Sequence, residues 1–130
     1  MKPNRKRILI ADCHEDVLIV LEKLFEDAGF DATIVSKANE VLSLVDLYAF
    51  DLMLVSEYLP DAGCEEVLKA LRRSGHAACI VMQTTAPENI DFARFEGLGV
   101  EDVVCKRPYP YIVEIVKERL LRDDKQIAAV

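Results

Sequence analysis

Four polar side chains in this sequence follow short apolar runs, each at the point where the run ends. They are a carboxylate, two hydroxyls and an ammonium: Asp12, Ser56, Thr84 and Lys106. Taken singly, each residue type is ordinary in a helix cap or a turn. If the runs are parallel strands of one sheet, their carboxyl ends meet at one edge, where α/β proteins bind ligands. We therefore expect the four side chains to form one site, called here the polar rim.

Cys13 and His14, which follow the first apolar run, could take part in redox or hydrolytic chemistry. A hydrolytic pair of His14 with Ser56, or a redox pair of Cys13 with Cys64, would lie at the same edge. Ser56 lacks the G-x-S-x-G frame of a nucleophile elbow, and an acidic neighbour raises the pKa of a thiol. The acidic, Cys and His residues of 12–16 are metal-ligand types, but they lack the paired spacing of zinc sites. We predict no metal ligand and no enzyme activity.

Composition narrows the class of protein further. The sequence contains no G-x-G-x-x-G and no Walker motif, so dinucleotide and P-loop chemistry are not predicted. The net charge of −7 argues against direct nucleic-acid binding. No apolar run approaches the ~20 residues of a membrane span, and the four cysteines show no C-x-x-C spacing. We expect a cytoplasmic, reduced protein without a membrane segment.

Hydrophobic periodicity predicts five strands alternating with five helices. Strands are predicted near 7–11, 31–36, 52–55, 78–83 and 102–105, and helices near 17–28, 40–47, 64–74, 88–98 and 112–121. Asp16 or a neighbour is predicted to cap the first helix, and Asn39 the second. This alternation is typical of right-handed βαβ crossovers in a doubly wound α/β domain. We expect one domain over 1–130, with a core at about 6–122 and a frayed tail at 123–130.

At this point the sequence resembles the response-regulator receiver domain of two-component phosphorelay signalling. The resemblance covers about residues 6–122 and is carried by these segments: Ile8–Asp12, Asp51–Val55, Leu59-Pro60, Glu66–Leu71, Ile80–Thr84, Gly99–Asp102 and Lys106 ahead of Pro108. It implies a flavodoxin-like (βα)5 fold, a three-layer sandwich whose parallel sheet has the strand order 2-1-3-4-5.

The resemblance also implies a site. In the family, an acidic pair after strand one and an Asp ending strand three hold Mg²⁺, and that Asp accepts phosphate from a phosphohistidine. The Thr or Ser after strand four and the Lys after strand five contact the phosphoryl oxygens. Asp12 and Thr84 match the family, but Cys13 stands at the second acidic position and Ser56 at the phosphoacceptor position. Whether Lys106 or the adjacent Arg107 fills the Lys position is left open.

These departures change the expected chemistry. A Ser hydroxyl is neutral, needs a general base and would form a stable ester. Two of the three carboxylates expected around Mg²⁺ are missing, and each charge–charge term at 4 Å is about 4 kcal/mol at an effective dielectric near 20. We expect weak or lost Mg²⁺ binding, a Lys106–Asp12 pair in its place, and Glu57 pointing to the opposite face. Val103 replaces the aromatic residue usual in strand five.

The expected function is that of a pseudo-receiver, which acts through protein–protein contact without conventional Asp phosphorylation. Expected partners are a histidine kinase, an output domain or another signalling protein, or a second copy through the fourth helix, fifth strand and fifth helix. Four aromatics are the candidates on that face: Phe92, Phe95, Tyr109 and Tyr111. The alternatives are a small enzyme, a redox or metal sensor, or a receiver phosphorylated at a non-standard residue. The cognate kinase, the oligomeric state and any continuation past residue 130 stay open.

Overall fold

The computed structural model describes residues 5–75 and 78–128, in which strands and helices alternate as predicted. The strands are β1 (Arg7–Ala11), β2 (Asp31–Val35), β3 (Leu52–Ser56), β4 (Cys79–Thr84) and β5 (Val100–Cys105). The helices are α1 (Glu15–Asp27), α2 (Ala38–Leu47), α3 (Cys64–Arg73), α4 (Phe92–Glu96) and α5 (Tyr109–Ala128), with a 3₁₀ turn at Pro87–Asn89. Residues 1–4, 76–77 and 129–130 of the predicted domain lie outside the described residues.

The five strands form one parallel sheet in the order β2-β1-β3-β4-β5. The strand order implied by the resemblance is therefore confirmed. Parallel neighbours require crossover helices, and these cover both faces of the sheet. The side chains of α1 and α5 pack on one face, and those of α2, α3 and α4 pack on the other.

Two hydrophobic cores follow from the alternation of side chains along each strand. Ile8 and Ile10 of β1 lie in the core beneath α1 and α5, whereas Leu9 and Ala11 lie in the core beneath α2 and α3. All five residues of β3 are buried. Because both faces are covered, the strands read as nearly continuous apolar runs, and the first polar residue after a run marks the edge of the sheet.

The N-cap of α1 is His14, a neighbour of Asp16, because the chain turns where the Asp12 carboxylate accepts the His14 N–H. The predicted extents of the fourth and fifth helices were wrong. The predicted fourth helix is divided: extended backbone at Ile90 separates the 3₁₀ turn from α4, which Asp91 caps. The helix α5 continues to Ala128 instead of giving way to a tail at Asp123. Within the described residues, no helix combines the length and the apolar character needed to cross a bilayer.

The start of α2 is stabilised by a residue far away in sequence. Its N-cap, Lys37, makes no side-chain cap bond, and Asn39 is not the cap that the sequence predicted. The Asp61 carboxylate, in the loop after β3, instead accepts the backbone N–H of Ala38 at 2.7 Å and of Asn39 at 3.0 Å. The hydrogen bonds from these two N–H groups lower the pKa of Asp61 below its usual value. This loop therefore ties α2 to the edge of the sheet.

We expect Asp61→Ala to lower the melting temperature at neutral pH, because two N–H groups of α2 lose their acceptor. A carboxyl whose pKa is depressed in the folded state stabilises the fold above its unfolded pKa. That stabilisation is lost as the pH falls through the folded pKa, so the difference from the parent chain should shrink in acid. Melting curves from acid to neutral pH measure it. Asp46→Ala, on the exposed side of α2, is the control, and a pH-independent difference would contradict the prediction.

Candidate functional site

The carboxyl ends of β1, β3, β4 and β5 surround a cleft of about 490 Å³. The cleft is lined by Cys13, His14, Ser56, Glu57, Tyr58, Thr84, Thr85, Ala86, Asn89 and Lys106. Asp12 lies at the same edge but is fully buried, while Ser56 and Thr84 are each only 2% exposed. The structure thus brings all four members of the polar rim, and Cys13 beside them, to one place.

Both oxygens of the Asp12 carboxylate are held by donors from the protein. Oδ2 lies 2.8 Å from Lys106 Nζ and accepts a hydrogen bond from Gln83 Nε2 at 3.0 Å. Oδ1 accepts the backbone N–H of His14 at 2.9 Å and lies 3.1 Å from His14 Nδ1. The ammonium that reaches Asp12 is therefore that of Lys106, whereas Arg107 is exposed. Gln83 was missed although it is the first polar residue after the apolar run 78–82, because the prediction rested on the adjacent Thr84 at the end of that run.

Glu57 lies in the cleft, so the prediction that its side chain points to the opposite face was wrong. Thr84 Oγ1 donates to Glu57 Oε2 at 2.5 Å and accepts the backbone N–H of Ala86 at 3.2 Å. The reason is that β3 ends at Ser56, and Glu57 begins a loop whose geometry no longer follows the two-residue alternation of a strand. The turn signal at Leu59-Pro60 was the available indication that the strand stops there.

Neither of the two alternative reactive pairs is assembled. Within the described chain, no hydrogen bond joins Ser56 to His14, whose ring nitrogen lies instead 3.3 Å from Cys13 Sγ. Cys13 and Cys64 are free cysteines, one exposed and the other buried. Burial, with a smaller contribution from the charge of Glu57, raises the pKa of Cys64 to about 12. At neutral pH the Cys64 thiol is thus protonated and a poor nucleophile.

The donor groups at this edge do not fit Mg²⁺. The ion prefers hard oxygen ligands in a near-octahedral array. The Asp12 oxygens are already engaged by Lys106, Gln83 and His14, and a Glu57 oxygen accepts the Thr84 hydroxyl. The two remaining groups of the expected set are a thiol and a neutral hydroxyl. Mg²⁺ would find one buried carboxylate, already engaged by protein donors, in place of the three carboxylates that the family uses.

The predicted contact aromatics divide into two groups. Phe92 is 38% exposed and Tyr111 is 59% exposed. Phe95 is partly buried against the core beneath α2 and α3, and Tyr109 is partly buried against the core beneath α1 and α5. Val103, at the position of the family aromatic, is also partly buried against the core.

The fold and the rim define a doubly wound α/β domain whose candidate site lies at the carboxyl ends of β1, β3, β4 and β5. The chain belongs to the response regulator receiver domain family, whose model matches residues 8–117. It is therefore a receiver domain of two-component signalling, as the resemblance indicated. Receiver domains in general bind Mg²⁺ at their phosphorylation site. The side chains at the corresponding position of this chain do not fit Mg²⁺, so the chain departs from its family at this site.

Individual relatives agree with this assignment. The chain is 29% identical over 117 residues to the alkaline phosphatase synthesis transcriptional regulatory protein PhoP of Bacillus subtilis, an alignment that covers 90% of this chain and 49% of PhoP. A receiver domain protein from Methanospirillum hungatei superposes with a TM-score of 0.78 at 27% identity, over 95% of this chain and 99% of the other. The chemotaxis response regulator CheY4 of Vibrio cholerae gives a TM-score of 0.79 at 19% identity, over 90% and 99%. The chain thus spans about half the length of PhoP.

We expect Lys106→Met to lower the free energy of unfolding by about 3 kcal/mol, because it leaves the buried Asp12 charge uncompensated. Adding Asp12→Asn to Lys106→Met should recover part of the loss by removing that charge. Urea unfolding of the two single variants and the double variant measures both effects.

The matched control is Lys117→Met, since Lys117 Nζ lies 3.7 Å from Glu114 in an exposed pair. Its effect should stay below about 0.5 kcal/mol. Equal effects of the two Lys→Met changes would show that the Asp12–Lys106 pair has no special role.

Proposed function

We propose that this receiver domain transmits signals through protein–protein contact and does not undergo conventional Asp phosphorylation. The observation that carries the proposal is the ion pair of Lys106 with the fully buried Asp12, 2.8 Å apart, beside Ser56 at the phosphoacceptor position. The cation that would bind a phosphoryl oxygen already compensates a carboxylate. The group that would attack phosphorus is a neutral hydroxyl.

The chemistry of Ser56 supports this proposal. A carboxylate is anionic at neutral pH and attacks without losing a proton, whereas a hydroxyl needs a general base. The imidazole that lines the cleft, that of His14, contacts Asp12 and Cys13 through Nδ1. A serine ester would also be stable rather than labile, which does not suit a signal that must decay.

Glu57 and Thr84 support a single conformational state. In the family the hydroxyl after strand four contacts a phosphoryl oxygen; here it donates to a Glu57 oxygen that is part of the same chain. The hydroxyl also accepts the Ala86 N–H and so fixes the loop after β4. We infer that Glu57 holds this loop in one conformation. Val103 stands at the position of the aromatic residue that acts as a conformational switch in the family, so that switch residue is missing here.

The contact surface is proposed to lie on α4, β5 and α5. Phe92 and Tyr111 expose aromatic area there, and aromatic side chains are enriched at protein interfaces. A groove of about 280 Å³ between β5 and α5 is lined by Val103 and Tyr111, among others. Proposed partners are a histidine kinase, an output domain, another signalling protein or a second copy of this chain. The net charge of −7 favours proteins over nucleic acid as direct partners, and we propose a cytoplasmic, non-enzymatic role.

Incubation with acetyl phosphate and Mg²⁺, followed by intact-mass measurement, tests the proposal. We expect the parent chain to keep its mass, because it offers neither an Asp acceptor nor a suitable Mg²⁺ site. The combined change Cys13→Asp with Ser56→Asp restores both carboxylates and should gain the mass of one phosphoryl group. The matched control is Cys105→Asp with Ser74→Asp, which adds two carboxylates outside the cleft and should gain nothing.

An adduct on the parent chain would contradict the proposal, and mapping it to Ser56 or Glu57 would establish a receiver phosphorylated at a non-standard residue. If the parent chain and the restored variant both stay unmodified, the cleft has lost more than its two carboxylates.

A further inference from the structure

Three metal-ligand atoms converge at the edge of the polar rim, although the sequence lacks the paired spacing of a zinc site. Asp12 Oδ1, Cys13 Sγ and His14 Nδ1 all lie within 4.8 Å of one another. Nδ1 is 3.1 Å from Oδ1 and 3.3 Å from Sγ. Tetrahedral Zn²⁺ bound to one sulfur, one nitrogen and one oxygen at the usual bond lengths separates its ligand atoms by about 3.3–3.6 Å. Two of the three separations are therefore close to those of a formed site.

The local backbone explains how consecutive residues can converge. Residues 12–14 join β1 to α1, and His14 at the N-cap has extended backbone with φ −97° and ψ 110°. Its N–H is bound by the Asp12 carboxylate, which folds the imidazole back over the residue two positions earlier. Cys13 and His14 are exposed and line the cleft, so an ion can reach these two ligands from solvent and meets the buried Asp12 behind them.

We propose that Asp12, Cys13 and His14 form a binding site for a borderline transition-metal ion, with Zn²⁺ as the reference ion. Thiolate and imidazole ligands select such metals, whereas Mg²⁺ requires oxygen. The substitution that removes an expected Mg²⁺ ligand, Cys at position 13, therefore changes which metal the edge of the sheet can hold. Zinc needs four ligands, and water can supply the fourth.

The charges at this edge are compatible with a divalent cation. Lys106 contacts Oδ2 of Asp12, and the metal would use Oδ1, so the buried ion pair persists when the metal binds. Cys13 releases its thiol proton to solvent as the sulfur–metal bond forms, and the Nδ1 lone pair of His14 makes the second bond. The imidazole binds as the neutral tautomer that carries its proton on Nε2, so the Nδ1 lone pair is free for the metal. Metal binding therefore leaves the Asp12–Lys106 ion pair in place.

Cobalt titration tests the proposal directly, because Co²⁺ occupies zinc sites and absorbs light. The full chain, freed of metal with a chelator, should bind one equivalent of Co²⁺ with a thiolate-to-cobalt charge-transfer band and the visible bands of a tetrahedral ion. Zinc should displace it and raise the melting temperature, since binding to the folded state stabilises that state. Cys13→Ser should abolish the charge-transfer band and weaken Zn²⁺ binding by at least about 10-fold.

Two further variants keep the test decisive. His14→Ala removes a ligand from an exposed side chain but keeps the backbone N–H that Asp12 accepts, and it should weaken Zn²⁺ binding at least as much. Cys105→Ser is the matched control and should retain both the band and the affinity. The proposal is overturned if Cys13→Ser keeps the parent affinity, or if Cys105→Ser loses it. The absence of stoichiometric Zn²⁺ or Co²⁺ binding to the parent chain would also overturn it, without affecting the intact-mass test of phosphorylation.

Discussion

The carboxylate of Asp12 is the constraint on which the rest of this edge depends. A buried charge is tolerated only when it is paired and hydrogen-bonded, and Asp12 is completely buried at the end of β1. Its partners come from three places: Lys106 after β5, Gln83 in β4 and His14 at the start of α1. Because β3 and β4 lie between β1 and β5, this single group joins the ends of strands across the sheet.

The same arrangement accounts for the chemical difference from a conventional receiver. The Lys106 ammonium, which compensates the buried Asp12 carboxylate, is not free to bind a phosphoryl group. Ser56 removes the negative charge that would otherwise compete for Lys106, so the Asp12–Lys106 pair can form without a cation. Glu57 supplies a negative charge elsewhere in the cleft, and the Thr84 hydroxyl binds it. With Ser56 at the acceptor position, the charged groups Asp12 and Glu57 each have a partner within the protein, Lys106 and Thr84.

The sequence predicted much of the fold, because buried parallel strands leave unambiguous apolar runs. The polar residues at the ends of these runs identified the polar rim, since parallel strands end at a common edge. What the sequence did not predict depends on loops and long-range contacts. The cap that Asp61 provides to α2, the turn of Glu57 into the cleft and the convergence of Cys13 with His14 are all set by backbone geometry outside the strands. Spacing patterns do not encode such geometry.

The central claim is that the Asp12 carboxylate is committed to protein donors and does not hold Mg²⁺. Its most direct test is a Mg²⁺ titration of the isotope-labelled chain, followed through the backbone amide NMR signals of Asp12, Cys13, His14 and Lys106. We expect no saturable shift of these signals through the millimolar range, apart from small changes shared with the whole surface. A saturable shift confined to these residues would show that Mg²⁺ binds at this edge and would contradict the expected loss of the Mg²⁺ site.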